Sequence, residues 1–146
     1  MKDGFIKVAA ATPEIRVADP AYNAQQIIAL MREAAAQGVK VMAFPELCIT
    51  GYTCGDLFLQ DALLVESQNA LGHILAETKE LDVVAAVGLP VWHNNKLYNC
   101  AAVIQKGEVL GLVPKTYIPN YGDFYEARWF ASGRPELETR VPLAGG

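Results

Sequence analysis

Apolar positions along the chain alternate between two kinds of pattern. Phe5 to Ala11 is an almost continuously apolar run, as expected of a short strand buried on both faces. Pro13 ends it. Asp19-Pro20 then reads as a helix start, with Asp as N-cap and Pro as the first helical residue. Ile27, Ile28, Leu30, Met31, Ala34 and Ala35 form one apolar helical face, and Gly38 closes the helix. Val39 to Phe44 is a second run of the buried-strand kind. Strand, helix and strand in this order predict a parallel pair joined by a right-handed crossover.

Thr50 to Asp56 contains Gly51 and Gly55 and predicts a loop. From about Leu57 to Leu81 the spacing is helical, with Leu63, Leu64, Leu71, Ile74 and Leu75 on the apolar side and Gly72 a potential break. Val83 to Leu89 predicts a third buried strand. Asn94-Asn95, between Val91-Trp92 and Leu97 to Ile104, predicts a hairpin, and Lys106-Gly107 a second turn before Val109 to Val113. The sheet therefore becomes antiparallel on one side, within an α/β fold. After Pro114 the periodicity fades and aromatics crowd in: Tyr117, Tyr121, Phe124, Tyr125, Trp129 and Phe130. Such irregular aromatic segments often wall a site, with Trp129 and Phe130 read as core. From Ser132 to Gly146 the chain is polar, carries Pro135 and Pro142, and shows no closing element.

Composition narrows the classes. The chain has 146 residues, 52% hydrophobic and 19% charged, enough for one domain with a real core. Net charge is -4 with the signs interspersed, which disfavours phosphate-tracking nucleic-acid binding. No apolar run reaches the roughly 18 to 20 residues of a membrane helix, so no membrane partner is expected. Cys48, Cys54 and Cys100 are an odd number, which suggests a reducing compartment, the cytoplasm. Two of them six apart, with His73 and His93 distant, do not make a zinc pattern, so no metal site is expected. Cys48 reads as a buried, inert thiol despite lying near Glu46, Cys54 as an exposed loop thiol, and Cys100 as a small core residue. Both histidines read as solvent-facing.

Glu46 ends the run Val41-Met42-Ala43-Phe44-Pro45-Glu46, where a buried strand should give way to a loop. Open α/β sheets place their chemistry at the carboxyl ends of their strands. A carboxylate there needs a cationic partner, and Lys115, just after the strand that ends at Pro114, supplies one. Taken alone, Glu46 is as well read as a solvated loop carboxylate, and Lys115 as a surface lysine.

Phe44-Pro45-Glu46, Pro114-Lys115 and Glu126 together resemble the nitrilase, or carbon–nitrogen hydrolase, superfamily. Two longer words, Phe44 to Phe58 (FPELCITGYTCGDLF) and Lys115 to Phe130 (KTYIPNYGDFYEARWF), resemble the glutaminase branch found at the amino terminus of glutamine-dependent NAD synthetases. The likeness runs from Ile6 to Gly145. It implies a four-layer αββα sandwich about twice this length, with residues 1–146 as the amino-terminal portion of the glutaminase domain. It also implies a Glu-Lys-Cys triad, with Glu46 as general base and Lys115 as the oxyanion-stabilising cation. The cysteine of that triad would lie beyond Gly146, so the 146-residue chain is expected to be inactive alone. By the same resemblance Tyr52, Tyr121, Phe124 and Glu126 line a glutamine site, Glu126 either orienting Lys115 or receiving the substrate's amino group. Ammonia would pass to a downstream synthetase domain of the same polypeptide, which would use ATP and magnesium to amidate nicotinic acid adenine dinucleotide. This chain has neither G-x-G-x-x-G nor a P-loop, so no cofactor is expected on it. An apolar face left by absent strands would favour a homo-oligomer. Two alternatives stand beside this: a non-catalytic half-domain acting as an assembly module, and another nitrilase-type amidase such as an omega-amidase.

Overall fold

The computed structural model describes residues 3–121, 124–134 and 141–143. Strand β1 (Lys7–Ala10) leads to helix α1 (Pro20–Ala36) and strand β2 (Val39–Ala43). A 3-10 turn (Gly55–Leu59) precedes helix α2 (Asp61–Thr78). Strands β3 (Val84–His93), β4 (Lys96–Gln105) and β5 (Glu108–Pro114) follow, and a second 3-10 turn covers Glu126–Arg128. The five strands form one sheet in the order β1-β2-β3-β4-β5. β1, β2 and β3 are parallel, and β3, β4 and β5 form an antiparallel meander.

Local chemistry explains the boundaries. The Asp19 carboxylate accepts the Tyr22 N–H at 3.1 Å and so caps α1. Asn94 and Asn95 both adopt positive φ (49° and 60°), as a tight two-residue hairpin requires. α1 buries Ala24, Ile27, Ile28, Met31 and Ala34; each of the larger side chains contributes about 1.5–3 kcal/mol on leaving water. α2 buries Leu63, Ala70, Leu71 and Ile74. Both helices belong to the core built on Met42, Ala85, Val87, Leu89, Cys100, Ala102 and Ile104 of the sheet.

Several sequence expectations need correction. β1 and β2 are buried on one face only. Val8, Val41 and Val84 are paired neighbours on the opposite face, as are Ala10, Ala43 and Ala86, and Val8 is 64% exposed. Val113 lies on that same uncovered face, through Ala101 and Gly88. The run of apolar residues suits a strand covered twice, and the described residues cover it once. Gly72 does not break α2, because the helix is held by burial of Leu71 and Ile74 around it. β3 runs on through Pro90, which pairs with Asn99. β2 pairs only with Val84 to Ala86, so beyond that β3 has an edge that tolerates a missing N–H. Cys54 is buried rather than exposed, its Sγ donating to Thr50 O and Gly51 O. His93 is only partly exposed, and its Nε2 is buried. Trp129 and Phe130 pack on Phe58, and Phe130 is buried. Much of the polar stretch expected after Ser132 lies outside the described residues.

Candidate active site

The main chain brings three charged side chains to one end of the sheet. After β2 the Phe44 N–H still donates to Ala86 O, so the strand geometry persists to the threshold of Pro45-Glu46. The chain then turns sharply: Leu47 is fully buried with φ 53°, a left-handed conformation that is unusual for leucine. The turn rests directly on Gly88 of β3. A Cβ there would meet the Leu47 nitrogen at 2.4 Å, so no other residue lets the turn sit this close. Buried Asn23 ties the same loop to α1, its Nδ2 donating to Ile49 O and Arg16 O.

Lys115 leaves β5 with its N–H donating to Asn99 O at 2.7 Å, and its own carbonyl accepts the Gly133 N–H. Its Nζ lies 2.6 Å from Glu46 Oε1 and 3.1 Å from Glu126 Oε2. The Glu126 side chain is only 4% exposed, that of Lys115 28% and that of Glu46 40%. The Tyr52 hydroxyl donates to Glu126 Oε1 at 2.5 Å. Glu126 is therefore a buried carboxylate whose charge is met by one ammonium and one phenol.

The electrostatics follow. Burial pulls the Lys115 ammonium down, but hydrogen bonds to Glu46 and Glu126, with their charges, outweigh it and raise the pKa. Lys115 is a cation at neutral pH and no base. Burial first, then the hydrogen bond to Glu126 and the charges of Glu126 and Glu46, push the Tyr52 phenol far above its ordinary range. Tyr52 stays a donor. Burial raises Cys48 to about 11 and Cys100 to about 12, and raises Cys54 as well. None of the three is poised as a thiolate.

The sequence-derived residues divide accordingly. Glu46, Lys115, Glu126 and Tyr52 converge. Tyr121 and Phe124 form an exposed T-shaped pair with each other, ring centroids 6.2 Å apart. They carry no hydrogen bond to the charged trio among the described residues. Two contributors went unread in the sequence. Asn99, a buried amide in β4, donates its Nδ2 to Glu46 Oε1. Its signal was an amide in the interior of the strand, between Tyr98 and Cys100. Asp56 accepts from Arg128 Nε at 3.0 Å and Trp129 Nε1 at 3.0 Å, pinning the Glu126 segment to the first 3-10 turn. The Trp129 bond leads in lowering the Asp56 pKa; desolvation opposes it, and the charge and hydrogen bond of Arg128 add to the lowering. Nothing in the local sequence marks that clamp.

Among the described residues no three His, Cys, Asp or Glu side chains cluster for a metal ion. No helix there is long and apolar enough to cross a membrane. A groove of about 1270 Å³ opens elsewhere, between α2 and β4–β5, lined by Leu71, Leu75, Cys100, Val109 and Leu112. It holds none of the charged trio, so chemistry rather than volume marks the site.

A carboxylate and a carboxylate-held ammonium thus meet at the carboxyl end of a mixed sheet, where α/β folds place their chemistry. The carbon-nitrogen hydrolase family pattern matches residues 7–145, and the chain belongs to that family. It is 42% identical over 136 residues to the glutamine-dependent NAD(+) synthetase of Mycobacterium tuberculosis, covering 93% of this chain and 20% of that relative. To the synthetase of the same name from Aquifex aeolicus it is 40% identical over 125 residues, 86% of this chain and 22% of that relative. The crystal structure of a glutamine-dependent NAD(+) synthetase from Cytophaga hutchinsonii superposes with a TM-score of 0.88 at 31% identity, covering 95% of this chain and 24% of that one. An amidase from Nesterenkonia sp. shares the fold, with a TM-score of 0.75 at 22% identity over 92% of this chain and 50% of its own. The fold is thus the nitrilase type. The chain spans about a fifth of the length of the curated relatives it matches.

Proposed function

We propose that this chain is the amino-terminal part of a glutamine amidohydrolase domain in a glutamine-dependent NAD synthetase. The observation that carries the reading is the Lys115 ammonium shared between Glu46 and Glu126. Hydrolysing a side-chain amide at neutral pH calls for a nucleophile better than water, and a thiol serves because its thioester divides the reaction into two easier steps. Glu46 takes the thiol proton and delivers it to departing ammonia. It then activates the water that cleaves the thioester. Lys115 stabilises the oxyanion of each tetrahedral intermediate. Glu126, occupied by Lys115 and Tyr52, orients the lysine rather than binding the substrate's amino group. Tyr52, Tyr121 and Phe124 border the glutamine site.

The thiol comes from residues outside this chain, since Cys48, Cys54 and Cys100 are buried. Lys115 follows Val113 of the uncovered sheet face, so on this reading the layers that would cover that face carry the nucleophile to it. The released ammonia serves an ATP- and magnesium-dependent synthetase domain.

The test is ammonia release from glutamine by the complete polypeptide. Glu46→Gln and Lys115→Met should each lower kcat by about a hundred- to a thousandfold while synthesis from free ammonia continues. Wild-type rates in either variant would refute the reading. The 146-residue chain alone should release no ammonia. If it does, Cys48→Ala and Cys54→Ala identify whether either thiol is responsible.

A further inference from the structure

We propose that Asn99 is a positioning residue that holds both members of the Glu46–Lys115 pair in register. This rests on the glutaminase reading above. Asn99 is a buried amide inside a strand whose Lys96 and Gln105 stand at its two ends. Its side-chain Nδ2 donates to Glu46 Oε1, the oxygen that also receives Lys115 Nζ at 2.6 Å. Its main-chain carbonyl accepts the Lys115 N–H at 2.7 Å. One residue of β4 therefore grips the carboxylate from β2 by its side chain and the lysine after β5 by its backbone. The three positions are far apart in sequence, and Asn99 sits between them in the sheet order.

The arrangement divides the two oxygens of Glu46. Oε1 is engaged by two donors, and among the described residues no donor reaches Oε2. The proton in transit then belongs on Oε2, whose direction is fixed because Oε1 is held. Glu46 is a long, partly exposed side chain. With Lys115 as sole donor it could rotate about that contact, because an ammonium on a flexible stem fixes distance better than direction. The planar amide of Asn99 supplies the second point. A carboxylate accepts from both, and that acceptor role fixes the Asn99 amide with Nδ2 toward Glu46.

The side-chain and main-chain roles separate cleanly under mutation. Asn99→Leu, which keeps approximate volume, and Asn99→Ala both keep the backbone carbonyl, and both remove the donor. In the complete polypeptide each should lower glutamine-dependent kcat by about ten- to a hundredfold, with KM for glutamine within about twofold of wild type. Synthesis from free ammonia should be unchanged. A Glu46→Asp background adds a readout that a packing role would not move. The shorter carboxylate has already withdrawn from Asn99, so Asn99→Leu should cost less than about threefold there. Should Asn99→Leu not fold, Asn99→Ser removes the reach without adding bulk and is read the same way. Full glutamine-dependent kcat in the Asn99 variants, a loss carried by KM instead, or costs that simply multiply with Glu46→Asp would each overturn the assignment and leave the glutaminase reading intact. Absence of ammonia release by the wild-type polypeptide would remove both.

Discussion

Replacing Lys115 with methionine isolates what the ammonium does for Glu126. The separation of 3.1 Å corresponds to a gross attraction of about 5 kcal/mol at an effective dielectric of 20. Desolvation opposes it, and the lysine side chain is 28% exposed, so the net cost of truncation is set at the low end for buried pairs, about 3 kcal/mol. Most of that cost is the buried carboxylate left with Tyr52 as its remaining partner. The consequence is local. Trp129 and Phe130 N–H groups donate to Glu126 O, and Ala131 N–H donates to Leu97 O. Hydrogen exchange at residues 129–131 should therefore accelerate about a hundredfold in Lys115→Met. Adding Glu126→Gln removes the orphaned charge and should recover about tenfold of the protection. If the double variant exchanges as fast as Lys115→Met, the carboxylate is not held by the lysine and the electrostatic account fails.

The alkaline limb offers a second test. The folded pKa of Lys115 lies above its unfolded value, so its stabilising contribution is complete below about pH 10 and disappears as pH climbs through the raised value. Its 13Cε resonance should titrate above the ordinary lysine range, and a midpoint at or below about 10.4 would contradict the ion-pair geometry. Native thiol labelling is a third. With Cys48 near 11, only about one molecule in a thousand carries that thiolate at pH 8, so iodoacetamide should leave peptides containing Cys48, Cys54 and Cys100 unmodified until the protein is denatured. Rapid native labelling of Cys48 would reverse the view of it as inert. Gly88→Ala places a methyl 2.4 Å from the Leu47 nitrogen and should lower stability by about 1–3 kcal/mol and glutamine hydrolysis with it. A variant with wild-type melting and activity would show that the turn does not depend on this approach.

Much of the fold was legible because its punctuation is chemical. Asp19-Pro20, Gly38, Asn94-Asn95 and Lys106-Gly107 each impose a local geometry that no distant contact needs to enforce. The misreadings occurred where distant packing decides. Apolar β1 and β2 looked covered on both faces because sequence reports what a strand can bury, not what is there to bury it. Gly72 looked like a potential break, and β3 was expected to end at Leu89, because burial around the one and the limited pairing of β2 beside the other are invisible locally. At the site, Glu46 and Lys115 stood out as charges at strand ends, and their convergence with Glu126 and Tyr52 followed from family likeness. Asn99 was missed because a neutral amide gives no charge signal, and Tyr121 and Phe124 lie in an irregular segment whose direction no periodicity fixes.

The wet side of the sheet also has a timetable. Under the proposed reading, a longer polypeptide whose later layers cover this face would leave Val8, Val41 and Val113 in water until those layers were made. Elongation at about 5–20 residues per second turns every further hundred residues into about 5–20 seconds of waiting. Translation speed would then become a determinant of yield, and codons that slow the next stretch would send more nascent chains into aggregates than the finished molecule's stability alone would suggest.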